Sequence, residues 1–414
     1  MASFSELEPF GSPRRKATSS WGIEANPGTT AGNGVLATEV DSALSGGAGS
    51  FAPQSSPESN GAAGASARSG QACMLRRVAP YPASSGVQPS RTLWPRNVFA
   101  PFVDVGLSPA SGPYPQFDLL GAAQALGVKY FNLGFVNGDF NGQPIFAGYR
   151  LDSPWDHGLR RQIKELRQRG ADVALCFGGA NGAEMELARV VDDVNELATA
   201  YEHVVDSYGV NRVNFAIEES ALVDQESIDR RSQAIVCLQQ KRACAGHPLE
   251  VWLSLPAMPA GLTTDALRVV ISAYAARIDL GGVNLMAMNF GEAAARDPEE
   301  RTGDLAIQAA HAAVDQLCEI QDSLNSGTCA AQVWGQVGIT TMVGQNDTLT
   351  ERFYQRDAQK LLAFAEVTRL GLLSIWSINR DASTGIANYD STGIAQEPFE
   401  FTTILAPYAN YACA

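Results

Sequence analysis

The chain has 414 residues, 45% of them hydrophobic and 18% charged, with 30 basic against 44 acidic side chains and a net charge of −14. No stretch approaches about eighteen uninterrupted apolar residues, which argues against a membrane-spanning helix. The acidic balance argues against nucleic acid or anionic lipid as the main partner, since both call for a basic footprint, and suits a neutral or cationic ligand.

Residues 1–92 read differently from the rest. SGGAGS (45–50), QSSPESN (54–60) and GAAGASARSG (61–70) are small, polar and aperiodic. Such segments bury too little apolar area to offset the entropy of ordering them. The expectation is a disordered Ser/Gly/Ala-rich N-terminal arm over 1–92 and one folded body over 93–414. The opening MASFSELEPFGSPRRKATSS has no apolar h-region, and Glu6 and Glu8 replace a basic start, so no Sec-type signal peptide is visible.

From about residue 94, strand-like and helix-like segments alternate. Apolar runs fall at 97–106, 129–138, 172–182, 212–220, 249–261, 281–291, 334–347 and 370–381. Helical patterns lie between them, as at 156–170, 186–209 and 304–324. Eight βα units predict an α/β protein built as a single (β/α)8 TIM barrel. The alternative, a doubly wound sheet, usually carries a Gly-rich phosphate turn after its first strand. Here that strand leads into DVGLSPASGPY, which lacks G-x-G-x-x-G.

Little points to metal or thiol chemistry. Cys73, Cys176, Cys237, Cys244, Cys318, Cys329 and Cys413 show no CxxC spacing, and the four histidines form no His-x-x-x-His pair. No metal and no cofactor are expected. The nearest couples, Cys237 with Cys244 and Cys318 with Cys329, leave local disulfides open. A helix continuing through Cys244 would set the first couple about 10 Å apart, too far for a bridge.

In a barrel, chemistry gathers at the C-terminal ends of the strands. The polar residues there are Asp104, Asn137, Glu218, Glu219, Asn289, Gln345, Asn346, Asp347 and Asp381. Helix capping and loop polarity account for most residues of this kind. Glu218 stands apart, because it ends the apolar run VNFAIE at inward parity with Asn214 and Ala216. A carboxylate aimed into a barrel mouth is costly unless it is used or paired. Cys176 reads as a small buried apolar side chain, with no histidine near it in sequence to activate it.

Several segments, in order, resemble those of one family. CFGGANG (176–182) resembles an S-x-G-G third strand, and NRVNFAIE (211–218) aligns with the signature D-G-x-D-x-D-x-E. SLPAMPAGLT (254–263), MAMNFG (286–291), TTMVGQND (340–347) and SIWSINRD (374–381) match the strands that follow. Over about residues 95–410 the chain resembles the bacterial-type chitinases of glycoside hydrolase family 18. The resemblance implies substrate-assisted hydrolysis of β-1,4-linked N-acetylglucosamine, an exception to the two-carboxylate scheme. Glu218 takes the general-acid position, and the position two residues before it should carry the Asp that orients the substrate acetamide. Trp376 takes the ring-stacking position. Trp252, Phe290, Met288, Asn289, Phe99 and Gln345 are the further positions expected to line the sugar site.

The departures decide the expected function. The signature Asp positions read Asn211, Asn214 and Ala216; Asn289 and Phe290 stand where the family usually has Asp and Tyr. Losing one transition-state contact typically costs about 2.7–4 kcal/mol, or roughly 100- to 1000-fold in rate. Stacking on aromatic faces needs none of the missing groups. The reading is a monomeric chitinase-like protein that binds chitin or chito-oligosaccharides with hydrolysis impaired or lost. An active hydrolase using Glu218 as acid, with Glu219 or Glu292 as helper, is the alternative, and a non-catalytic effector or scaffold the second. The resemblance favours an extracellular setting.

Overall fold

The computed structural model describes residues 89–90, 94–107, 116–291, 302–323, 333–383 and 387–408. The chain divides into Met1–Met74 and Leu75–Ala414, and every described residue belongs to the second unit. Residues 1–88, most of the expected arm, lie outside the described residues. Ser90 belongs to the same expected arm, yet it is tied to the body. Its Oγ donates to Asp172 Oδ2 (2.7 Å) and its N–H to Gly209 O (2.7 Å).

Eight strands form the barrel. β1 comes in two pieces, Val98–Phe99 and Phe102–Asp104. Then follow β2 (Tyr130–Gly138), β3 (Asp172–Gly178), β4 (Arg212–Ala216), β5 (Glu250–Met258), β6 (Leu280–Met286), β7 (Val337–Met342) and β8 (Leu372–Trp376). Neighbours pair in parallel from β2 through to β8. The break in β1 closes the ring: Val98 pairs with Leu372 of β8 and Phe102 with Asn132 of β2. Asn132 Nδ2 (2.9 Å) and Ser374 Oγ (2.7 Å) both donate to Ala100 O, so the interruption at Ala100–Pro101 leaves no buried carbonyl bare.

Helices follow the strands: α1 (Leu119–Leu126), α2 (Pro154–Gln168), α3 (Val194–Tyr208), α4 (Gln225–Cys244), α5 (Thr264–Ala276), α6 (Thr302–Ser323), α7 (Gln355–Thr368) and α8 (Glu400–Leu405). Side-chain oxygens cap their starts, as Ser153 for α2, Asp193 for α3, Asp224 for α4 and Thr263 for α5. Asp381 caps too. It accepts from Phe401 and Thr402 N–H at the start of α8 and from Gln396. Among the described residues, no helix is long and apolar enough to cross a membrane.

Phe177 and Phe215 stack on each other (5.0 Å) and meet Tyr201 of α3, so these residues face the helices. Asn214 and Ala216, of opposite parity, therefore face the barrel axis. The N-terminal end of the barrel is closed by Val98, Ala100, Tyr130, Trp252 and Leu372 with Trp94 against them. Arg212 lies between two of these rings, 4.5 Å from the centroid of Trp94 and 4.7 Å from that of Trp252. Burial lowers the Arg212 guanidinium to about 10, against an opposing pull from Glu250.

One feature was not expected, and one disulfide left open is decided. β2 runs on into an antiparallel excursion through Pro144–Phe146 and Tyr149–Arg150. The Cys237–Cys244 pairing does not form: Cys237 is disulfide-bonded and Cys244 is free and exposed. α4 runs through Cys244, which gives the separation that forbids the bridge. Cys318 is also disulfide-bonded, and Cys329 lies outside the described residues.

Candidate active site

The mouth of the barrel is organised around the end of β4. Pairing with β5 persists to Ile217, whose N–H donates to Ser254 O (3.1 Å). Glu218 follows in extended conformation (φ −139°), and Glu219 turns the chain with φ +49° into the short helix Glu219–Val223. Strand geometry therefore delivers Glu218 at the rim, with Asn214 and Ala216 in line below it.

The Glu218 carboxyl accepts the Ala180 N–H from the loop after β3. Burial raises it from 4.5 to about 7; the Glu219 carboxylate adds to the rise and the Ala180 donor opposes it. Some of the side chain still reaches solvent through the mouth, although its carboxyl is crowded by protein. Among the described residues, no lysine or arginine pairs with it. A carboxyl near 7 can hold a proton at neutral pH and release it, as a general acid must. Asp104, at the end of β1, is raised by burial to about 6, against backbone donors from Gly106 and Leu107.

Below Glu218 the surroundings turn apolar. Ala216 is 2% exposed and packs with Phe102 and Cys176, with Phe135, Met286 and Trp376 against them. The Trp376 ring lies 5.5 Å from Phe135 and 6.1 Å from Phe102. Burial pushes the Cys176 thiol well up, and the nearby Glu218 charge adds to it, so the thiol stays protonated and is a poor nucleophile. One layer deeper, Asn214 is 1% exposed, and neither its Nδ2 nor its Oδ1 has a partner among the described residues. A buried primary amide with both ends unmet is uncommon. The position two residues on, which could present a carboxylate, is a methyl.

The turn after β3 depends on glycine. Gly178 has φ +92°, and a Cβ there would come 2.2 Å from Ala216 O. That close approach lets Gly179 N–H reach Ala216 O (2.9 Å) and sets Ala180 over Glu218.

The loops after β6 and β7 are bolted together. Asn289 (φ +56°) donates from N–H to Asn346 Oδ1 (3.2 Å) and from Nδ2 to Asp347 Oδ2 (3.2 Å). Its Oδ1 accepts from Asp347 and Thr348 N–H. Glu351, 2% exposed, accepts the N–H groups of Phe290 (2.9 Å) and Gly291 (2.6 Å). Gln345 Nε2 donates to the carbonyls of Asn346, Thr348 and Glu351.

The structure thus brings Glu218, Ala216 and Trp376 to one place and Asn214 beneath them. The amides of Asn289 and Gln345 are engaged in fixing loops. Phe290 is buried at 2% exposure and Met288 is half-buried. Two expected sugar-lining residues lie elsewhere. Trp252 belongs to the floor at the opposite end of the barrel, its Nε1 donating to Glu250 (2.8 Å). Phe99 is fully buried, at opposite parity to the inward Val98 and Ala100. Phe135 and Met286 belong to the site without having been singled out by sequence. Met286 shares the inward parity of Asn284, a signal that was legible. Glu292, the suggested helper, lies outside the described residues. Among the described residues, no group of three or more His, Cys, Asp or Glu is placed to hold a metal.

No protein-family model matches the chain. It is 31% identical over 319 residues, 76% of its length, to the probable bifunctional chitinase/lysozyme of Escherichia coli K12. It is 32% identical over 288 residues, 70% of its length, to endochitinase 11 of Metarhizium anisopliae. The chain spans 35% and 53% of the lengths of these two relatives. Among solved structures, it resembles active domain 2 of a Pyrococcus furiosus chitinase at 25% identity. The TM-score is 0.66, over 78% of this chain and 98% of that one.

Proposed function

Because this chain belongs to the chitinase-like proteins of glycoside hydrolase family 18, we propose that it binds chitin or N-acetylglucosamine oligosaccharides at its barrel mouth with hydrolysis impaired or lost. The observation that carries the reading is Ala216. It occupies the inward position two residues before Glu218, inside an apolar cluster, where the mechanism calls for a carboxylate to turn and polarise the acetamide. A methyl group accepts no hydrogen bond. Phe290 and Asn289 likewise offer no hydroxyl and no charge to the mouth. Stacking needs none of the missing groups, and the half-buried Trp376 beside Phe135 supports it. The Pyrococcus furiosus domain has been crystallised, as catalytic-site mutants, in complex with chito-oligosaccharides, which supports a glycan as the ligand class here.

The test is calorimetric titration with N-acetylglucosamine oligomers beside a sensitive hydrolysis assay. Binding with turnover at the level of the Glu218→Gln variant is the expected result, and ordinary chitinase turnover would sink the reading.

A second reading rests on Glu218 itself. A carboxyl at about 7 is what a general acid needs, so a slow hydrolase remains chemically available. On that reading Glu218→Gln abolishes a measurable rate, and an unchanged rate counts against it.

A further inference from the structure

The Glu218 carboxyl is held between two pieces of chain. Its own backbone leads into the segment 219–224, while its hydrogen-bond donor, the Ala180 N–H, comes from the loop Ala180–Met185 after β3. One side chain spans both. Arg189 Nη1 donates to Ala183 O (3.2 Å) and Glu184 Oε2 (2.9 Å) in the loop, and to Ser220 Oγ (2.6 Å) two residues beyond Glu218. Its Nε donates to Asp224 Oδ2 (3.1 Å), the cap of α4. Ser220 Oγ completes the link by donating to Glu184 Oε1 (2.6 Å). Arg189 comes from the short helix Leu187–Val190, whose root is fixed by the buried pair Glu186–Arg231 (2.7 Å). The far side of the loop is held as well: Asn137 Nδ2 donates to Gly178 O (2.9 Å).

We infer that Arg189 is a positioning residue for Glu218, clamping the loop that carries the Ala180 donor to the segment that carries the carboxyl. This rests on the reading that Glu218 is the functional carboxyl of the mouth. A guanidinium suits the task, because Nη1 joins the loop to Ser220 while Nε holds Asp224 from the same rigid plane, two fixed points that a lysine ammonium cannot reproduce. The titratable groups facing Glu218 are the Cys176 thiol from β3 and Glu219 beside it, and neither can replace the Ala180 donor. Releasing the clamp withdraws a donor that favours the carboxylate, so Glu218 then holds its proton to higher pH.

The experiment titrates the full-length protein labelled with 13C at glutamate carboxyls, the Glu218 signal being assigned by its loss in Glu218→Gln. In Arg189→Ala the midpoint rises by roughly one pH unit, the usual effect of one backbone donor. Arg189→Lys keeps the charge but not the fork, and raises the midpoint by less. Arg242→Ala cuts an ion pair (Arg242–Asp206, 2.6 Å) about 27 Å further along α4, and leaves the midpoint in place. An unmoved midpoint in folded Arg189→Ala overturns the inference. So does a wild-type midpoint in Arg189→Lys beside a raised one in Arg189→Ala, because the effect would then be charge alone. If Arg189→Ala does not fold, Ser220→Ala takes its place, and an unmoved midpoint there is equally fatal. Glycan binding is recorded separately: its absence beside a shifted midpoint defeats the proposed ligand and leaves the clamp standing.

Discussion

Replacing Glu218 by Gln removes a carboxyl that the fold holds in an unfavourable setting, so the variant should be more stable than the parent, and only at the right pH. In the folded protein this group ionises at about 7, against 4.5 for an ordinary glutamate. The unfolded chain gives up the proton first as pH rises. Stability therefore falls between about 4.5 and about 7 and stays lowered above that, the sign expected for a raised acid. At about 1.4 kcal/mol per pH unit, the full difference is about 3 kcal/mol. Solvent reaching the side chain reduces this, so a gain of about 1.5–3 kcal/mol for Glu218→Gln at pH 8 is expected, vanishing near pH 4. Urea unfolding of both proteins at pH 4, 6 and 8 measures it. A variant equally or less stable at pH 8, or a gain that does not depend on pH, would refute the claim that burial rather than a hidden cation sets this group.

Other outcomes follow from the same geometry. Trp376→Ala should weaken chito-oligosaccharide binding at least about tenfold by calorimetry, since a stacking face is worth about 1 kcal/mol beyond its area. Trp252→Ala should cost about 3–5 kcal/mol in denaturant unfolding by opening the barrel floor around Arg212, while leaving glycan affinity unchanged. Glu351→Gln should lower stability by about 1.5–3 kcal/mol, because the carboxylate accepts both the Phe290 and Gly291 N–H groups and an amide has only one oxygen to offer. Ala216→Asp alone should not restore full hydrolysis in a chromogenic assay, because Asn289 and Phe290 remain.

The order of strands and helices was legible because each buried strand is a near-continuous apolar run, and eight such runs alternating with helical patterns close in one way. Glu218 was legible too, as an acid that ends an apolar run at the inward parity of Asn214 and Ala216. Depth was not. Parity tells which face a residue takes, but not how far along the barrel axis it sits, so Trp252 read like Trp376 although one is floor and the other rim. Phe99 failed because its place came from the resemblance alone: Val98, Ala100 and Phe102 keep one inward parity across the break at Ala100–Pro101, which leaves Phe99 on the other face. Asn289 and Gln345 show their residue types in the sequence, but not the loop amides and carbonyls that engage them. Arg189 gave no signal, because its four partners lie 5, 6, 31 and 35 residues away.

The other buried acids of this barrel explain why Glu218 is the one to watch. Asp172 receives Ser90, Trp94 and Arg167; Glu186 receives Arg231 and the Ala188 N–H; Asp381 receives three donors. Each is compensated in the way that burial of a charge demands. Glu218 has one backbone donor and a like charge beside it. Stability does not account for such a carboxyl, which agrees with the role proposed for it at the mouth. The residues beneath it point the other way. Asn214 is polar, yet its amide has no partner among the described residues, and Ala216 in line with it offers only a methyl group. With an acid above and neutral side chains below, the mouth is apolar and aromatic beneath Glu218, and the Glu219 charge stands beside it. An uncharged sugar suits that surface, even on a chain whose net charge is −14.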